Sequence, residues 1–404
     1  MKIAIISDLH LGFRQYGSIE REKDFYNQLY KVCNEINKQN PDIVIIAGDL
    51  FNNPNPSPAA INAYRKGIGI LNANIICSIK GNHTMLLRDD HYSIDEYFSK
   101  DEFEGYYYLD DSSFSNENIQ IDGITYRSNS SIDEFLEVQK DIASKEIDEE
   151  KYRILVVHQS FKEFCGFIGE ELSIEDIDIS SYNAVICGHI HSRFDIVLSD
   201  GVKFIQPGSI ERMNTTEALD EQKNGKGFYL LDTEDNSVKF YPVKCNRAFF
   251  LGEKSFSTEE DLENHFKDLS NAISKLDTPP IISYKYKNYG VNIEDIRDEI
   301  KLLHKNVLLD KSNIDDLTQE DISIEIEDNE MPTVFEAIKI FGEKSGLNED
   351  EYNLARDLHK ELNNNLDNVS SLLDNYFEKH KKKYDEYDFY DEKELKEIID
   401  YFGE

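Results

Sequence analysis

The sequence predicts an α/β protein whose main sheet is covered on both faces, and three observations lead to this prediction. Short runs of consecutive apolar residues recur along residues 1–245 and have the length of buried strands. Several segments between these runs carry apolar residues at helical spacing. The runs are continuous rather than alternating, which is typical of strands that lie between two covering layers.

The first 50 residues have the pattern of a strand, a helix and a second strand. The two apolar runs are KIAIIS (2–7) and DIVIIAGD (42–49). Between them, apolar residues at spacings of three and four predict one buried face of a helix. These residues are Phe25, Leu29, Val32 and Ile36.

Further strands are predicted up to residue 245. A helical stretch at 59–71 leads into the next run, and the last two runs form a hairpin around the turn residues 234–236. The runs are NIICSIKGN (74–82), RILVVHQ (153–159), AVICGHIH (184–191), VKFIQPGS (202–209), GFYLLD (227–232) and VKFYPV (238–243).

The pattern changes after residue 245, which divides the chain into four predicted segments. Helices at 258–276 and 293–303 flank the apolar strand IISYKYK and predict a small α/β domain. An acidic stretch poor in large apolar residues then predicts a linker, and a stripe from Leu354 to Phe377 predicts helices beyond it. The segments are 1–245, the main domain; 246–309, the α/β domain; 310–330, the linker; and 331–404, the helical module.

Composition excludes several classes of protein. The 404 residues carry a formal net charge of −36, so the chain lacks the overall basic character typical of nucleic-acid-binding proteins. No apolar run approaches the roughly 20 residues of a membrane helix, and the amino terminus does not resemble a signal peptide. The five cysteines are scattered without a CxxC spacing. We therefore expect a cytoplasmic protein and exclude membrane proteins, secreted scaffolds and coiled-coil fibres.

Side chains that can bind a metal ion follow five of the predicted strands. In open α/β sheets, ligands bind at the carboxyl ends of the strands, so these side chains are expected to meet at one edge. One such residue alone is more often a turn or helix-cap residue, but five coincidences are not explained in this way. The residues are Asp8, His10, Asp49, Asn82, His83, His158, His189 and His191.

The chemistry of this set favours metal ions. Burying several carboxylates and imidazoles together without a cation would cost several kcal/mol for each group. Oxygen and nitrogen ligands without thiolate suit manganese, iron or zinc better than they suit a closed structural zinc site. Asp49 has two carboxylate oxygens and can bridge two ions about 3.5–4 Å apart, the separation used in phosphoryl chemistry.

The motifs that contain these residues resemble the signature blocks of the calcineurin-like metallophosphoesterases. They are DLH (8–10), GDLF (48–51), GNH (81–83), VVHQ (156–159) and CGHIHSR (187–193). Within that superfamily, DLHLG, GDLF followed by PSP, and PGSIER (207–212) are similar to the SbcD-type DNA repair nuclease subunit. This subunit is the counterpart of the meiotic-recombination nuclease of eukaryotes and archaea. The resemblance implies a four-layer β-sandwich flanked by helices, a small α/β cap domain and a C-terminal helical module.

The resemblance also implies roles for the site residues. Two divalent ions, preferably Mn²⁺, would assist in-line attack of water on phosphorus. Asp8, His10, Asp49 and His191 would hold one ion. Asp49, Asn82, His158 and His189 would hold the other. His83 would be the acid that protonates the departing oxygen.

Two residues depart from the family pattern. Thr84 stands where the family usually has aspartate, which would orient the His83 imidazole more firmly than a hydroxyl does. Asn52 stands where the nuclease branch usually has histidine. We expect Asn52, together with Arg193, to help position the phosphate of the substrate.

The predicted function is that of a metal-dependent DNA nuclease, acting as an exonuclease on DNA ends and as a single-strand endonuclease. The resemblance implies three partners: DNA, a second copy of the chain in a homodimer, and an SMC-like coiled-coil ATPase of the SbcC type. The ATPase would bind the helices of 331–404. Two alternatives remain open, a phosphoesterase for a small-molecule or phosphoprotein substrate, and a catalytically weak scaffold subunit.

Overall fold

A computed structural model describes residues 1–85, 93–98, 103–144, 148–165, 172–198, 201–318 and 353–354. The chain divides into two compact units, Met1–Glu320 and Asp321–Glu404. The elements given below all belong to the first unit. The predicted helical module lies outside the described residues except for 353 and 354, which are helical.

Within these ranges the first unit contains sixteen strands and eight α-helices. The strands are β1 (Lys2–Ile6), β2 (Ile43–Ile46), β3 (Ile75–Ser78), β4 (Tyr106–Tyr108), β5 (Ser112–Ser115), β6 (Ile119–Ile124), β7 (Tyr152–His158), β8 (Ala184–Gly188), β9 (Phe194–Val197), β10 (Lys203–Gln206), β11 (Gly227–Asp232), β12 (Ser237–Pro242), β13 (Phe249–Phe256), β14 (Ile281–Asn288), β15 (Leu309–Asp310) and β16 (Asn313–Asp316). The helices are α1 (Ile19–Asn37), α2 (Pro58–Ile68), α3 (Ile94–Tyr97), α4 (Ile132–Ala143), α5 (Lys162–Cys165), α6 (Thr215–Asn224), α7 (Glu259–Ile273) and α8 (Ile293–Leu303).

The first two long helices begin at hydroxyl caps. The Ser18 hydroxyl accepts a hydrogen bond from the Arg21 amide, 3.3 Å away, at the start of α1. The Ser57 hydroxyl does the same for the start of α2, where Pro58 occupies the first helical turn and needs no amide partner. The caps satisfy amides that have no acceptor within the helix, so both helices start at these residues.

Two six-stranded sheets form the main domain. In the first sheet, β1, β2, β3 and β4 are parallel neighbours. Beyond β1 the sheet continues with β11, which is antiparallel to β1, and then with β12, which is antiparallel to β11. In the second sheet, β6, β7, β8 and β10 are parallel, with β5 and β9 antiparallel at the two edges. All of the apolar runs predicted in residues 1–245 are strands of these sheets.

The two sheets face each other through a shared apolar layer. Alternate residues of a strand point to opposite faces of its sheet, so Ile3 and Ile5 of β1 lie in the layer that also contains Ile154 and Val156 of β7. The other faces pack on helices. The predicted stripe of α1, including Leu29, is buried against the outer face of the first sheet, and α4 residues pack on that of the second. The fold class predicted from the sequence, a four-layer α/β sandwich, is confirmed.

A third, four-stranded sheet forms the smaller α/β domain. β14 lies parallel between β13 on one side and β15 and β16 on the other. Helices α7 and α8 cover one face, where Phe256, Phe266 and Tyr286 are buried together. The predicted helix at 293–303 corresponds to α8.

The acidic segment assigned to a linker from residue 310 begins inside this sheet, which corrects that assignment. β16 pairs with β14, and Ile314 packs on the core of the domain. Acidic residues are tolerated in this strand because β14 is basic on its exposed face, and Lys285 forms an ion pair with Asp315 at 3.0 Å. Residues 319–330 lie outside the described residues.

A buried charge network joins the two domains. Asp24 of α1 is hydrogen-bonded to Arg21 at 2.6 Å and to Arg247, which precedes β13, at 2.5 Å. The Phe249 ring of β13 lies near the Arg21 and Arg212 guanidinium groups, at 5.4 and 4.4 Å. The side chains of this network are nearly inaccessible to solvent, so the smaller domain is fixed to α1 of the main domain.

Candidate metal centre

The structure brings the predicted ligands together at the carboxyl ends of strands in both sheets. Asp8 and His10 follow β1, Asp49 follows β2, and Asn82 follows β3. His158 ends β7, and His189 and His191 follow β8. In the described residues, three overlapping groups have ligand atoms within 4.8 Å of one another. These groups are Asp8 with His10 and His191, His10 with Asp49 and His83, and Asp49 with His158 and His189.

One group is centred on His10 and His191. Their Nε2 atoms are 3.0 Å apart, and Asp8 Oδ1 is 3.9 Å from His10 Nε2 and 3.8 Å from His191 Nε2. Three donor atoms therefore face one small volume, as three protein ligands of a single cation do.

The second group is centred on His158. Its Nε2 lies 3.3 Å from Asp49 Oδ2 and 3.1 Å from Asn82 Oδ1, and the Asn82 oxygen is 2.9 Å from His189 Nδ1. Asp49 Oδ2 is also 3.7 Å from His10 Nε2. Asp49 therefore stands between the two groups, which is the position that a bridging carboxylate needs.

Four of the predicted ligands adopt left-handed backbone conformations. The φ angles are 53° for Asp8, 44° for His10, 49° for Asp49 and 87° for His189. Such conformations cost of order 1–3 kcal/mol each and are concentrated at functional sites. They turn the chain sharply after each strand and direct these side chains into the centre.

Two glycines permit this close approach. A Cβ atom on Gly48 would lie 2.2 Å from His158 Nδ1, and one on Gly81 would lie 2.2 Å from Asp49 Oδ1. Neither position can therefore carry a side chain without moving a predicted ligand. The glycines of the GDLF and GNH motifs are explained by this packing.

Burial and mutual charge set the ionisation of the cluster. Burial favours a neutral Asp49, but the neighbouring His158 and His10 outweigh it and hold the pKa of Asp49 well below its usual range. Burial acts to lower the pKa of His158, and Asp49 and Asp8 instead raise it to about 9. Burial and the charge of His158 lower the pKa of His189 to about 3.

The residues present fit divalent cations. Asp8, His10, Asp49 and His158 are almost completely buried, and His10 Nδ1 is a buried polar atom with no hydrogen-bond partner among the described residues. Ionised carboxylates in such a place need positive charge nearby, and imidazole nitrogens are donors that can hold a cation there. The mixture of oxygen and nitrogen donors suits manganese, iron or zinc.

His83 lies beside the cluster. Its Nδ1 is 2.9 Å from the Asn52 carbonyl oxygen, and its amide donates to Asp49 Oδ1 at 2.9 Å. The ring is edge-on to that of His10, with centroids 4.6 Å apart. The imidazole is thus oriented by a backbone carbonyl rather than by residue 84. Its predicted role as the acid is compatible with this place, as is ligation together with His10 and Asp49.

Thr84 belongs to a different set of contacts. It is completely buried, as is Asp95 at the start of α3. The Ser93 hydroxyl donates to Asp95 Oδ2 at 2.8 Å and is 3.5 Å from the Thr84 carbonyl oxygen. Burial raises the pKa of Asp95 to about 6, while the Thr84 and Ser93 hydroxyls oppose this shift. A buried carboxyl group therefore supports the loop that carries Asn82 and His83.

The two predicted substrate-positioning residues differ. Asn52 is half-buried, and its side-chain Oδ1 is a buried atom that has no hydrogen-bond partner in the part of the chain that the structure describes. The Arg193 guanidinium instead donates to the Asn224 carbonyl at 2.5 Å and to the Tyr229 hydroxyl at 3.1 Å, and it lies 3.8 Å from the Phe240 ring centroid. The structure thus places Arg193 against β11 and β12.

Sequence reasoning missed Glu217 and Lys226, which lie behind His191. Glu217 Oε1 is 2.9 Å from His191 Nδ1, and Lys226 donates to the His191 carbonyl at 2.9 Å. Asn214-Thr215-Thr216-Glu217 has the pattern of a helix start, and Asn214 does cap α6 through the Glu217 amide. That signal could have located the helix, but not its contact with a histidine 26 residues earlier.

Comparison with known proteins finds similarity to one family within the first 193 residues. Residues 1–193 match the family described as calcineurin-like phosphoesterase. Two similar proteins are named DNA double-strand break repair protein Mre11. That of Methanocaldococcus jannaschii is 29% identical over 386 residues, covering 93% of this chain and 98% of that protein. That of Methanococcus maripaludis is 29% identical over 396 residues, covering 93% and 99%.

Proposed function

Because residues 1–193 match the calcineurin-like phosphoesterase family, we propose that this protein is a metal-dependent DNA repair nuclease that hydrolyses phosphodiester bonds. The observation that carries the proposal is the convergence of the three overlapping ligand groups at one edge of both sheets. The similarity to proteins named for DNA double-strand break repair, which extends along 93% of the chain, supports DNA as the substrate.

In this proposal the chain's residues bind the metal ions, orient the phosphate of the substrate and protonate the departing oxygen. Asp8, His10, Asp49 and His191 would hold one divalent cation, and Asp49 would share the second with Asn82, His158 and His189. Such a pair, preferably Mn²⁺, neutralises the charge that develops around phosphorus during in-line hydrolysis.

His83 would complete the reaction by moving a proton. Its Nδ1–H donates to the Asn52 carbonyl, which leaves Nε2 with a lone pair in the neutral ring, so His83 would act as the acid in its imidazolium form and give the Nε2 proton to the departing oxygen. Asn52 would assist by donating from its side-chain Nδ2 to a phosphate oxygen.

The deciding experiment is incubation of the protein with Mn²⁺ and end-labelled DNA, in duplex and single-stranded form. We expect shortening of duplex ends and internal cleavage of single strands. Asp49→Asn, which keeps the size of the side chain but removes the shared charge, should abolish both. Asp235→Asn in the exposed β11–β12 turn is the matched control and should cleave like the wild type. Absence of DNA cleavage by the wild type, alone and with its ATPase, would contradict the proposal.

A phosphoesterase for a small-molecule or phosphoprotein substrate is the second candidate. The net charge of −36 favours it, because an acidic surface repels DNA at long range. Hydrolysis of bis-p-nitrophenyl phosphate is expected under both proposals, whereas hydrolysis without any DNA cleavage would select this one. A scaffold without activity would instead bind less than about one metal ion per chain, since the chemistry needs a pair.

The partner proposals concern the remainder of the chain. We propose a homodimer and an SMC-like coiled-coil ATPase bound by residues 331–404, in a cytoplasmic complex. Met1–Glu320 is a compact unit by itself, so a chain lacking 331–404 is expected to keep phosphodiesterase activity and to lose the ATPase. Co-purification of the shortened chain with the ATPase would contradict this assignment. Within the described residues, no helix is sufficiently long and apolar to span a membrane.

A further inference from the structure

A buried carboxylate lies directly behind one of the candidate ligands. Glu217 of α6 is 9% exposed, and its Oε1 is 2.9 Å from Nδ1 of His191. When Nδ1 donates its proton to this carboxylate, Nε2 of the same ring is left with a free lone pair. That nitrogen faces His10 and Asp8 in the centre.

Glu217 is itself held in place by buried donors. Its Oε2 accepts hydrogen bonds from the Met213 amide at 3.1 Å and from the Ser209 hydroxyl at 3.3 Å. The ammonium group of Lys226, a residue only 4% exposed, lies 3.7 Å from Oε2 and donates to the Ser209 hydroxyl at 2.7 Å. The same ammonium donates to the His191 carbonyl at 2.9 Å. The negative charge behind His191 is therefore paired and its geometry is fixed.

The other histidines of the centre are held differently. His158 Nδ1 donates to the backbone carbonyl of Ala47 at 2.7 Å, and His10 Nδ1 is buried with no partner within the described ranges. Among the candidate ligands that the structure describes, His191 alone has its second ring nitrogen against a carboxylate. A carboxylate partner fixes the tautomer and makes the imidazole a stronger donor to a metal ion than a carbonyl partner does.

We propose that Glu217, held by Lys226, is a positioning residue that strengthens cation binding at Asp8, His10 and His191 and leaves the site at His158 and His189 unaffected. The two sites would then bind cations with different affinities, and Glu217 of α6 would cause the difference. This inference rests on the proposed metal centre and deepens it.

The test is calorimetric titration of the full chain with Mn²⁺. The wild type is expected to bind two ions. Glu217→Gln keeps an acceptor for His191 but removes the charge, so one ion should bind about 10–100-fold more weakly while the other is unchanged. Glu221→Gln on the same helix is the matched control, because Glu221 pairs with Arg212 at 2.8 Å and has no contact with the ligands in the described residues. It should bind both ions like the wild type.

A double variant separates this effect from the damage done by an unpaired lysine. Glu217→Gln with Lys226→Met removes both buried charges together, so no lone charge remains in the interior. It should still lose affinity for one ion selectively. Wild-type affinities at both sites in the two variants, or equal weakening at both sites, would overturn the role of Glu217. A wild type that binds no Mn²⁺ would instead overturn the proposed function and, with it, this inference.

Discussion

His83 occupies a place that serves either of two roles, and one substitution separates them. We expect His83→Ala to keep both ions and to lose turnover by about 10²–10⁴-fold, the usual contribution of a general acid. The reason is that the other ligands form two groups without it, centred on His191 and His158. Metal analysis and hydrolysis of a model phosphodiester measure the two effects. Loss of an ion together with activity would show that His83 is a ligand with His10 and Asp49.

Asn52 provides a second prediction at the same scale. Its backbone carbonyl orients His83, a contact that any side chain at this position can keep. An imidazole here can carry positive charge near a phosphate, and a charge-assisted contact is worth roughly 1–2 kcal/mol more than a neutral one. Asn52→His should therefore cleave blunt duplex DNA about five- to thirtyfold faster. Single strands adjust to the centre more easily, so their cleavage should change little. Equal rates for the wild type and Asn52→His on each of the two substrates would contradict this prediction.

The short helix α3 carries a buried acid whose ionisation costs stability. Burial raises the pKa of Asp95 from 3.8 to about 6, so the folded protein binds this proton more tightly than the unfolded chain does. The free energy of unfolding contributed by Asp95 is therefore highest in acid and falls as pH rises from about 4 to about 6. Asn cannot ionise but still accepts from Ser93.

Asp95→Asn should accordingly be more stable than the wild type at neutral pH. The expected gain in the free energy of unfolding is about 2–3 kcal/mol at pH 8 and smaller at pH 5. Urea unfolding at the two pH values measures it, and a matched loss of stability at both would contradict the assignment. If Asp95→Asn is stabilising, the Asp95 carboxyl group does not serve the stability of the fold, and its role is to support the loop of Asn82 and His83.

Elements with a continuous apolar core could be predicted from the sequence, and those at the edges could not. β1, β2, β7 and β8 are buried along their length, so composition alone predicts them. β5 (SSFS) and β9 (FDIV) are edge strands whose exposed residues follow no such pattern. β16 is acidic because the basic β14 lies beside it, a pairing that depends on tertiary structure.

The same distinction applies to the candidate site. Strand ends are local features, so Asp8, Asp49 and His189 could be placed at one edge of the fold from the sequence. Glu217 meets His191 only because α6 lies beside the residues that follow β8, and Asp95 lies near Thr84, eleven positions earlier in the chain. Contacts of this kind, between residues distant in sequence, have no local signal. The contacts of Arg193 with Tyr229 and Phe240 likewise had no signal in the sequence, and its contact with substrate stays a prediction.

For the whole molecule, the joint between the two domains depends on Asp24. Its carboxylate is shared by Arg21 and Arg247, and the three side chains are almost fully buried. Asp24→Ala would leave the buried Arg247 guanidinium without a carboxylate and Arg21 with only Glu211, 3.5 Å away, which should lower the free energy of unfolding by about 3–5 kcal/mol. Urea unfolding measures it. Glu35→Ala, which removes an exposed ion pair with Lys38 in the same helix, is the control and should cost less than about 1 kcal/mol.

The candidate ligands are divided between two layers that otherwise meet through apolar contacts. Asp8, His10 and Asp49 extend from the first sheet, whereas His158, His189 and His191 extend from the second, and the His189 amide donates to Asp8 across the gap. Bound ions would link the two sheets of the sandwich at this edge. A chelator would thus shorten the lifetime of the folded chain as well as stop hydrolysis, and the stripped protein should be digested faster by proteases than the loaded one.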